Sequence, residues 1–448
     1  MRGTVKGLSV NTIGNVVQPG QTLMEILPAD APLVVSLKIP PRYIGHIRTG
    51  QDVQVKCSSF DFSRYGAIPG KLEFISAASF AGENGERYFQ GRVRLSRAHV
   101  GEDTRNSVVP GMSYGYTFDG LGNRTQTEVN GRAATYTPNN VNQYISRTVP
   151  GAVDILGWAD TQAAVTVNGQ TPSRVGGYFY QMLVAANELS PLYLPVTVDA
   201  TLNNETSMVS GSRFVAETPE IFAYDDDGNL LEDGRWLYTW DGENRLIRME
   251  TRPAAVAAGA PAQRLSFAYD YMGRRISKEV EVWRDGRWRT LHKRFFHYDG
   301  WNLIAEVLDD GRLIRSYTWG LDLSGSMQGA GGVGGLLAIH DHLEQKTFLP
   351  AYDGNGNIIA LVGAQSGTTV ATYEYSPFGQ LIAHEGTYAL VNPFRFSTKY
   401  TDNETGLLYY GYRYYDPETG RWPNRDPIGE QGGLNLYAMV ANNPVNTW

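Results

Sequence analysis

The sequence predicts an all-β protein. A small barrel or sandwich lies at the N-terminus, repeated hairpins follow, and a β-sandwich-like module is inserted among them. Three observations carry this. Short runs alternate apolar and polar residues between glycines, as in Asp52-Val-Gln-Val-Lys56. A unit of aromatic, Asp, two variable residues, Gly and Asn or Arg recurs. Turn formers are abundant, with 50 Gly and 22 Pro in 448 residues. A hydrophobic content of 42% is enough for a large core and excludes wholesale disorder. A net charge of −7 argues against a nucleic-acid binder. The one cysteine, Cys57, excludes a disulfide framework and a Cys-rich zinc site, and reads as a small buried apolar residue. No apolar run approaches the ~18 residues a membrane helix needs, and the opening MRGTVKGLSV lacks the apolar core of a signal peptide.

The first elements are strands. Thr4 to Val10 alternates, Leu33 to Ile39 follows a turn-rich gap, and Val93-Arg-Leu95 repeats the pattern. Gly14, Gly20 and Gly50 punctuate them. Composition then changes. Residues 1–112 carry 13 basic and 9 acidic residues, whereas 113–448 carry 26 and 37 and hold all nine tryptophans. This places a seam at Gly111–Tyr114. Gly3-Thr-Val5, Gly14-x-Val-Val-Gln-Pro-Gly20, Leu23-Met-Glu-Ile-Leu-Pro28, Ile44-Gly45-x-Ile47, Gly50-Gln51 and Phe60-Asp-Phe-Ser-Arg-Tyr-Gly66 resemble the C-terminal part of an HlyD-type periplasmic adaptor of type I secretion. The resemblance implies a partial lipoyl-like half-sandwich over 1–30 and an adaptor β-barrel over 31–112. The family's membrane anchor, first lipoyl half and helical hairpin have no counterpart here, and covalent lipoylation has no support. A half-sandwich also leaves strand edges unpaired.

The repeat begins next. Its members are Phe118-Asp119-x-x-Gly122-Asn123, Tyr224-Asp225-x-x-Gly228-Asn229, Tyr269-Asp270-x-x-Gly273-Arg274 and Tyr352-Asp353-x-x-Gly356-Asn357. Related forms are Trp240-Asp241-x-x-Asn244-Arg245, Tyr298-Asp299-x-x-Asn302 and Tyr415-Asp416-x-x-x-Gly420-Arg421. Asp can bond its own backbone two residues on, and Gly supplies the positive φ. Each unit therefore reads as a hairpin turn between strands that pair with their neighbours. A calcium loop needs more carboxylates and a bidentate Glu. Residues 139–219 show no unit between Asp119 and Asp225 and read as an inserted β-rich module of unknown role. Gly329, Gly331 and Gly334 spell a G-x-G-x-x-G, but it leads into a strand rather than a helix. It reads as a flexible link, and no cofactor is expected.

Residues 113–448 resemble RHS/YD-repeat proteins, with the teneurin-like shell as wider kin. The stretch Gly406-Leu-Leu-Tyr-Tyr-Gly-Tyr-Arg-Tyr-Tyr-Asp-Pro-Glu-Thr-Gly-Arg421, with Arg425-Asp-Pro-Ile-Gly429 and Gly433-Leu-Asn-Leu-Tyr437, resembles the RHS core-associated domain. The resemblance implies a spiralling hollow β-shell, with a first repeat segment at 113–138, repeats at 220–395 and a core-associated domain at 396–448, truncated at its C-terminus. That domain closes one end in the family and cleaves its own chain with one arginine and two aspartates. By motif match these are Arg413, Asp426 and an aspartate just after Asn442-Asn-Pro-Val-Asn446, which would fall beyond residue 448. A lone Asp426 lacks the like-charged partner that splits an acid–base pair. The expectation is a chain inert toward self-cleavage and not an enzyme, in which Arg413 and Asp426 form a salt bridge and a turn.

Other candidates are weaker. His340 and His342 share a face without a third ligand and read as a solvated turn, so no metal is expected. His292 and His297 read as part of a strand. Asn123, Asn204 and Asn403 head glycosylation triplets, discounted because both resemblances are bacterial. The expected function is a shell component of a polymorphic-toxin or cell-surface system, secreted or in the envelope of a Gram-negative bacterium. Its partner would be a C-terminal toxin absent from this chain. The alternatives are an envelope adaptor that docks secretion machinery, and a carbohydrate-binding surface.

Overall fold

The computed structural model describes residues 3–6, 25–28, 34–55, 67–81, 87–97 and 114–444. The chain divides into two compact units, Met1–Gly111 and Met112–Trp448. Cys57 and the Phe60–Gly66 motif lie outside the described residues.

In the first unit, strand Gly3–Lys6 pairs antiparallel with Glu25–Pro28. A four-stranded antiparallel sheet runs in the order Val34–Ile39, Arg87–Leu95, Ile68–Ala81, Asp52–Val55. The alternation works as the sequence implies. Val53 and Val55 join a core of Ile68, Leu72, Val93 and Leu95, while Asp52 and Gln54 face outward. Gly50 turns the chain at φ 89° and donates its N–H to the Leu72 carbonyl at 2.7 Å.

The second unit opens with a five-stranded antiparallel sheet in the order Glu220–Ile221, Tyr144–Arg147, Arg132–Pro138, Arg124–Val129, Tyr114–Phe118. A 14-stranded sheet then runs from Ala223–Tyr224 to Leu381–Glu385, each strand hydrogen-bonded to its neighbours in sequence. The repeat unit explains this meander. In the Asp270 turn, Oδ1 accepts the Met272 and Arg274 backbone N–H groups, both at 2.9 Å, and Oδ2 accepts Arg274 Nε at 2.8 Å. In the Asp353 turn the same two oxygens take the Asn355 and Asn357 N–H groups at 2.9 Å and Asn357 Nδ2 at 2.7 Å. Asn and Arg interchange at the last position because each offers a side-chain N–H to Oδ2.

The aromatic residue has a separate task. It sits at a register shift of the ladder, as Tyr269 and Tyr352 do, and reaches back to the carbonyl just after the preceding turn. Trp240 Nε1 donates to Leu230 at 2.7 Å, Tyr269 to Leu246 at 2.5 Å, Tyr298 to Arg275 at 2.9 Å and Tyr375 to Ile358 at 2.7 Å. Each unit thus clasps the one before it.

Four expectations need correction. A unit does lie between Asp119 and Asp225. Asn139 Oδ1 accepts the Val141 and Gln143 N–H groups at 3.0 Å, and Asn142 takes the glycine's role at φ 65°. An amide oxygen accepts as a carboxylate does, so the turn survives without Asp. The insertion consequently starts after strand Tyr144–Arg147, not at 139. It holds two three-stranded sheets about their own core of Val165, Val167, Phe179 and Leu183. Second, Asp299 closes no turn of this kind. It pairs directly with Asn302 across a tight hairpin, and Gln328 supplies the side-chain bonds, to the Asp299 carbonyl and from the Trp301 N–H. Third, the glycine-rich stretch is a shaped loop, not a slack link. Asp322 Oδ2 accepts Ala330 N–H at 2.7 Å and Gly332 N–H at 3.1 Å. Fourth, of the two histidines expected in a solvated turn, His340 lies half-buried within the strand Leu336–Asp341, and only His342 falls in the turn after it.

Candidate functional site

The segment 386–444 crosses the sheet and shares its core. Tyr388, Phe394, Tyr400, Leu407, Tyr409 and Tyr414 belong to the same apolar cluster as Leu246, Leu265, Val280, Leu336 and Ile358 of the sheet strands. Polar keys fix the contact. Arg275 NH1 lies 2.6 Å from Asp402 Oδ2, and Lys278 Nζ lies 2.8 Å from Asp402 Oδ1 and 2.6 Å from Glu404. The rings of Phe296, Tyr400 and Tyr409 stand within 5 Å of the Arg275 guanidinium. Burial alone would raise Glu404, but Lys278 and His292 override it and hold the carboxyl well below its usual range. A second cluster centres on Glu306. Burial there is overcome by Arg315 and Arg294, which keep the carboxylate ionised, and Tyr317 and Tyr400 donate to it. Tyr388 donates to Asp341 at 2.6 Å.

Arg413 and Asp426 are brought together. Arg413 NH2 donates to Asp426 Oδ2 at 2.8 Å, and the guanidinium lies 4.1 Å from the centre of the Trp422 ring. Burial lowers the Arg413 pKa, against the opposing charge of Asp426. Its NH1 is buried without a hydrogen-bond partner among the described residues. Asp426 Oδ1 caps a turn by accepting Ile428 N–H at 3.1 Å. A Cβ on Gly432 would stand 2.8 Å from Asp426 Oδ2, so a glycine leaves the carboxylate its room. No second carboxylate ion-pairs with Arg413 among the described residues.

The remaining candidates disperse. His340 Nδ1 pairs with Thr347 Oγ1 at 2.8 Å and His342 Nε2 with Ser316 Oγ at 2.9 Å. No metal-holding cluster exists among the described residues. His292 and His297 lie in the strand Arg287–Asp299. Sequence reasoning missed the keys Arg275, Lys278, Glu306, Asp402 and Glu404. Two of them, Asp402 and Glu404, flank Asn403 of the Asn-Glu-Thr triplet.

A consecutive antiparallel sheet of clasped aromatic–Asp turns, keyed by buried charges to a C-terminal segment on its own core, defines a repeat-shell protein. The Teneurin YD-shell family matches residues 210–445, more than half of the chain, and the chain belongs to that family. Residues 33–118 match the AprE-like beta-barrel domain. The tRNA3(Ser)-specific nuclease WapA of Bacillus spizizenii is 30% identical over 231 residues, 50% of this chain and 9% of that protein. Toxin subunit YenC1 of Yersinia entomophaga is 36% identical over 264 residues, 56% of this chain and 25% of that protein. Leukotoxin secretion protein D of Mannheimia haemolytica is 34% identical over 98 residues, 22% of this chain and 20% of that protein. The chain thus spans a quarter or less of each of these relatives. No helix among the described residues is long and apolar enough to cross a membrane.

Proposed function

We propose that residues 112–448 are the closing end of a bacterial toxin shell, in which the sheet is the wall and segment 386–444 is the plug that anchors a toxin polypeptide continuing from it. The buried Arg275–Asp402–Lys278–Glu404 network carries this reading, because it holds the plug to the wall without a covalent link. The family match and the toxin relatives support it. This stretch holds and presents cargo. The role is structural, not enzymatic, and is exercised outside the cytoplasm. A protease site inserted between Glu385 and Gly386 tests it. After cleavage, the plug should co-elute with the wall in wild type and separate in an Asp402→Asn, Glu404→Gln variant. Separation of the plug in wild type refutes the reading.

Arg413 and Asp426, paired at 2.8 Å, are on this reading an ion pair that does not cleave the chain. Incubated protein should keep its intact mass, and a shortened C-terminus overturns that. For the first unit, the AprE-like match and the leukotoxin secretion protein favour a contact with type I export machinery. Its failure to co-purify with such a complex from membranes would remove that part. Carbohydrate binding is the remaining alternative, and silence on a glycan array eliminates it.

A further inference from the structure

Of the two buried lysines among the described residues, Lys399 is the one without a carboxylate partner, a state it shares with the buried Arg124, Arg395 and Arg421. Arg275, Lys278, Arg315 and Arg147 each meet at least one carboxylate. Lys399 is 9% exposed, and among the described residues no carboxylate comes within ion-pair distance of it. Its ammonium donates to the Gly331 carbonyl and lies 5.2 Å from the Tyr410 ring centre. An ammonium has three N–H donors, and one backbone carbonyl does not use them all. Lys399 lines a cavity of about 270 Å³, with Trp301, Trp319, Phe394, Tyr410 and Tyr412 among its walls.

The surroundings are built to keep that space. The glycine-rich loop is folded onto Asp322 and turns its Gly331 carbonyl to Lys399. A Cβ on Gly331 would stand 3.1 Å from the ammonium, and one on Gly332 would meet Asn302 Oδ1 at 2.9 Å. Tyr412 is 63% exposed and packs at a 43° tilt against Trp301 with centroids 4.3 Å apart, so aromatic rings border the solvent side of the cavity.

We propose that this cavity binds a small planar monoanion, an aromatic carboxylate, with Lys399 as its charge partner and the rings as its walls. One ammonium neutralises one charge. Aromatic walls favour a flat apolar body and disfavour a strongly hydrated dianion such as phosphate. Burial pushes the lysine down to about 8, with Asp322 opposing. The amine is therefore largely charged at pH 7 and loses its proton above pH 8. A bound carboxylate favours the charged form, so binding near pH 8.5 takes up a proton.

Calorimetric titration of the full chain with indole-3-acetate, and with its neutral isostere indole-3-ethanol, tests this. At pH 7 the carboxylate should bind at least about tenfold tighter than the alcohol, and raising the pH to 9.5 should erase that advantage. At pH 8.5, buffers of different ionisation enthalpy should reveal proton uptake. Lys399→Met should lose the preference for the carboxylate and the proton uptake together, with the thermal midpoint of the variant reporting that it is folded. Tyr412→Ala, at the exposed rim, should weaken both ligands and keep the preference. The proposal is overturned by no binding at millimolar ligand, by equal affinity for acid and alcohol, or by a carboxylate preference that survives in Lys399→Met.

Discussion

Replacing Asp402 with asparagine tests how the closing segment is held. The side chain is 1% exposed and faces two cations, Arg275 at 2.6 Å and Lys278 at 2.8 Å. At an effective dielectric of about 20, each contact represents roughly 6 kcal/mol of direct attraction. Desolvation of the three groups offsets much of that, so the pair itself adds little net stability. Removing only the anion is different, because both cations stay buried, and such breaks cost about 3–5 kcal/mol. Lys278 keeps Glu404 at 2.6 Å, and Arg275 keeps the Tyr414 hydroxyl at 3.0 Å. The loss should therefore fall near the lower end, about 3 kcal/mol. Urea unfolding followed by tryptophan fluorescence measures it, and limited proteolysis should show new cuts within 386–444. Asp310→Asn is the control. That residue pairs with Arg312 in solvent and should leave the midpoint unchanged. A loss below about 1 kcal/mol in Asp402→Asn would refute the claim that buried charge fixes the segment.

Three further outcomes follow from the turns and the buried carboxyls. Tyr269→Phe removes the clasp to the Leu246 carbonyl and should cost about 1 kcal/mol in thermal unfolding, with the sheet otherwise intact. Asn139→Ala should lose about 1–2 kcal/mol in urea unfolding, since it removes the acceptor for the Val141 and Gln143 N–H groups and the Nδ2 donor to Gln143 Oε1. Burial, with the Glu220 carboxylate adding to it, pushes Asp233 up to about 7. The folded chain therefore holds this proton above the unfolded value of about 4, and stability on this group's account declines as pH rises from about 4 to about 7. Asp233→Asn should gain thermal stability over wild type across that interval, and a constant gap between the two speaks against the assignment.

What the sequence made legible was local chemistry. Asp-x-x-Gly followed by Asn or Arg announces a turn because the bonds that close it lie within four residues, as at Asp270. The strand alternation at Asp52–Val55 and Val93–Leu95 was equally readable, since one face meets the core. The units that escaped notice kept the geometry with other atoms. Asn139 substitutes an amide oxygen, and Ser376 a hydroxyl that accepts Gln380 N–H at 3.0 Å. Conversely, Asp299 keeps the letters of the unit without its bonds. The keys of the closing segment left no local trace. Arg275 and Asp402 are 127 residues apart, and no periodicity joins them. Arg413 and Asp426 emerged only because a resemblance singled them out, and their contact is plain once the chain folds.

The keys also explain how one segment finds one place on a long, nearly uniform wall. Successive hairpins offer similar aromatic and aliphatic surfaces, and apolar contact is non-directional. On apolar burial alone, a slip of the segment by one hairpin would change little. The charges remove that degeneracy. Arg275 and Lys278 lie on one strand, Glu306 and Arg315 on the next hairpin, and Asp341 on the strand after, each buried. Their partners Asp402, Glu404, Tyr400 and Tyr388 come from the closing segment in an order that runs opposite to the strands. A shifted segment would strand several buried charges at once, at a few kcal/mol each. Registration of the plug on the wall therefore rests on groups whose pairing adds little to stability but whose mispairing is prohibitive.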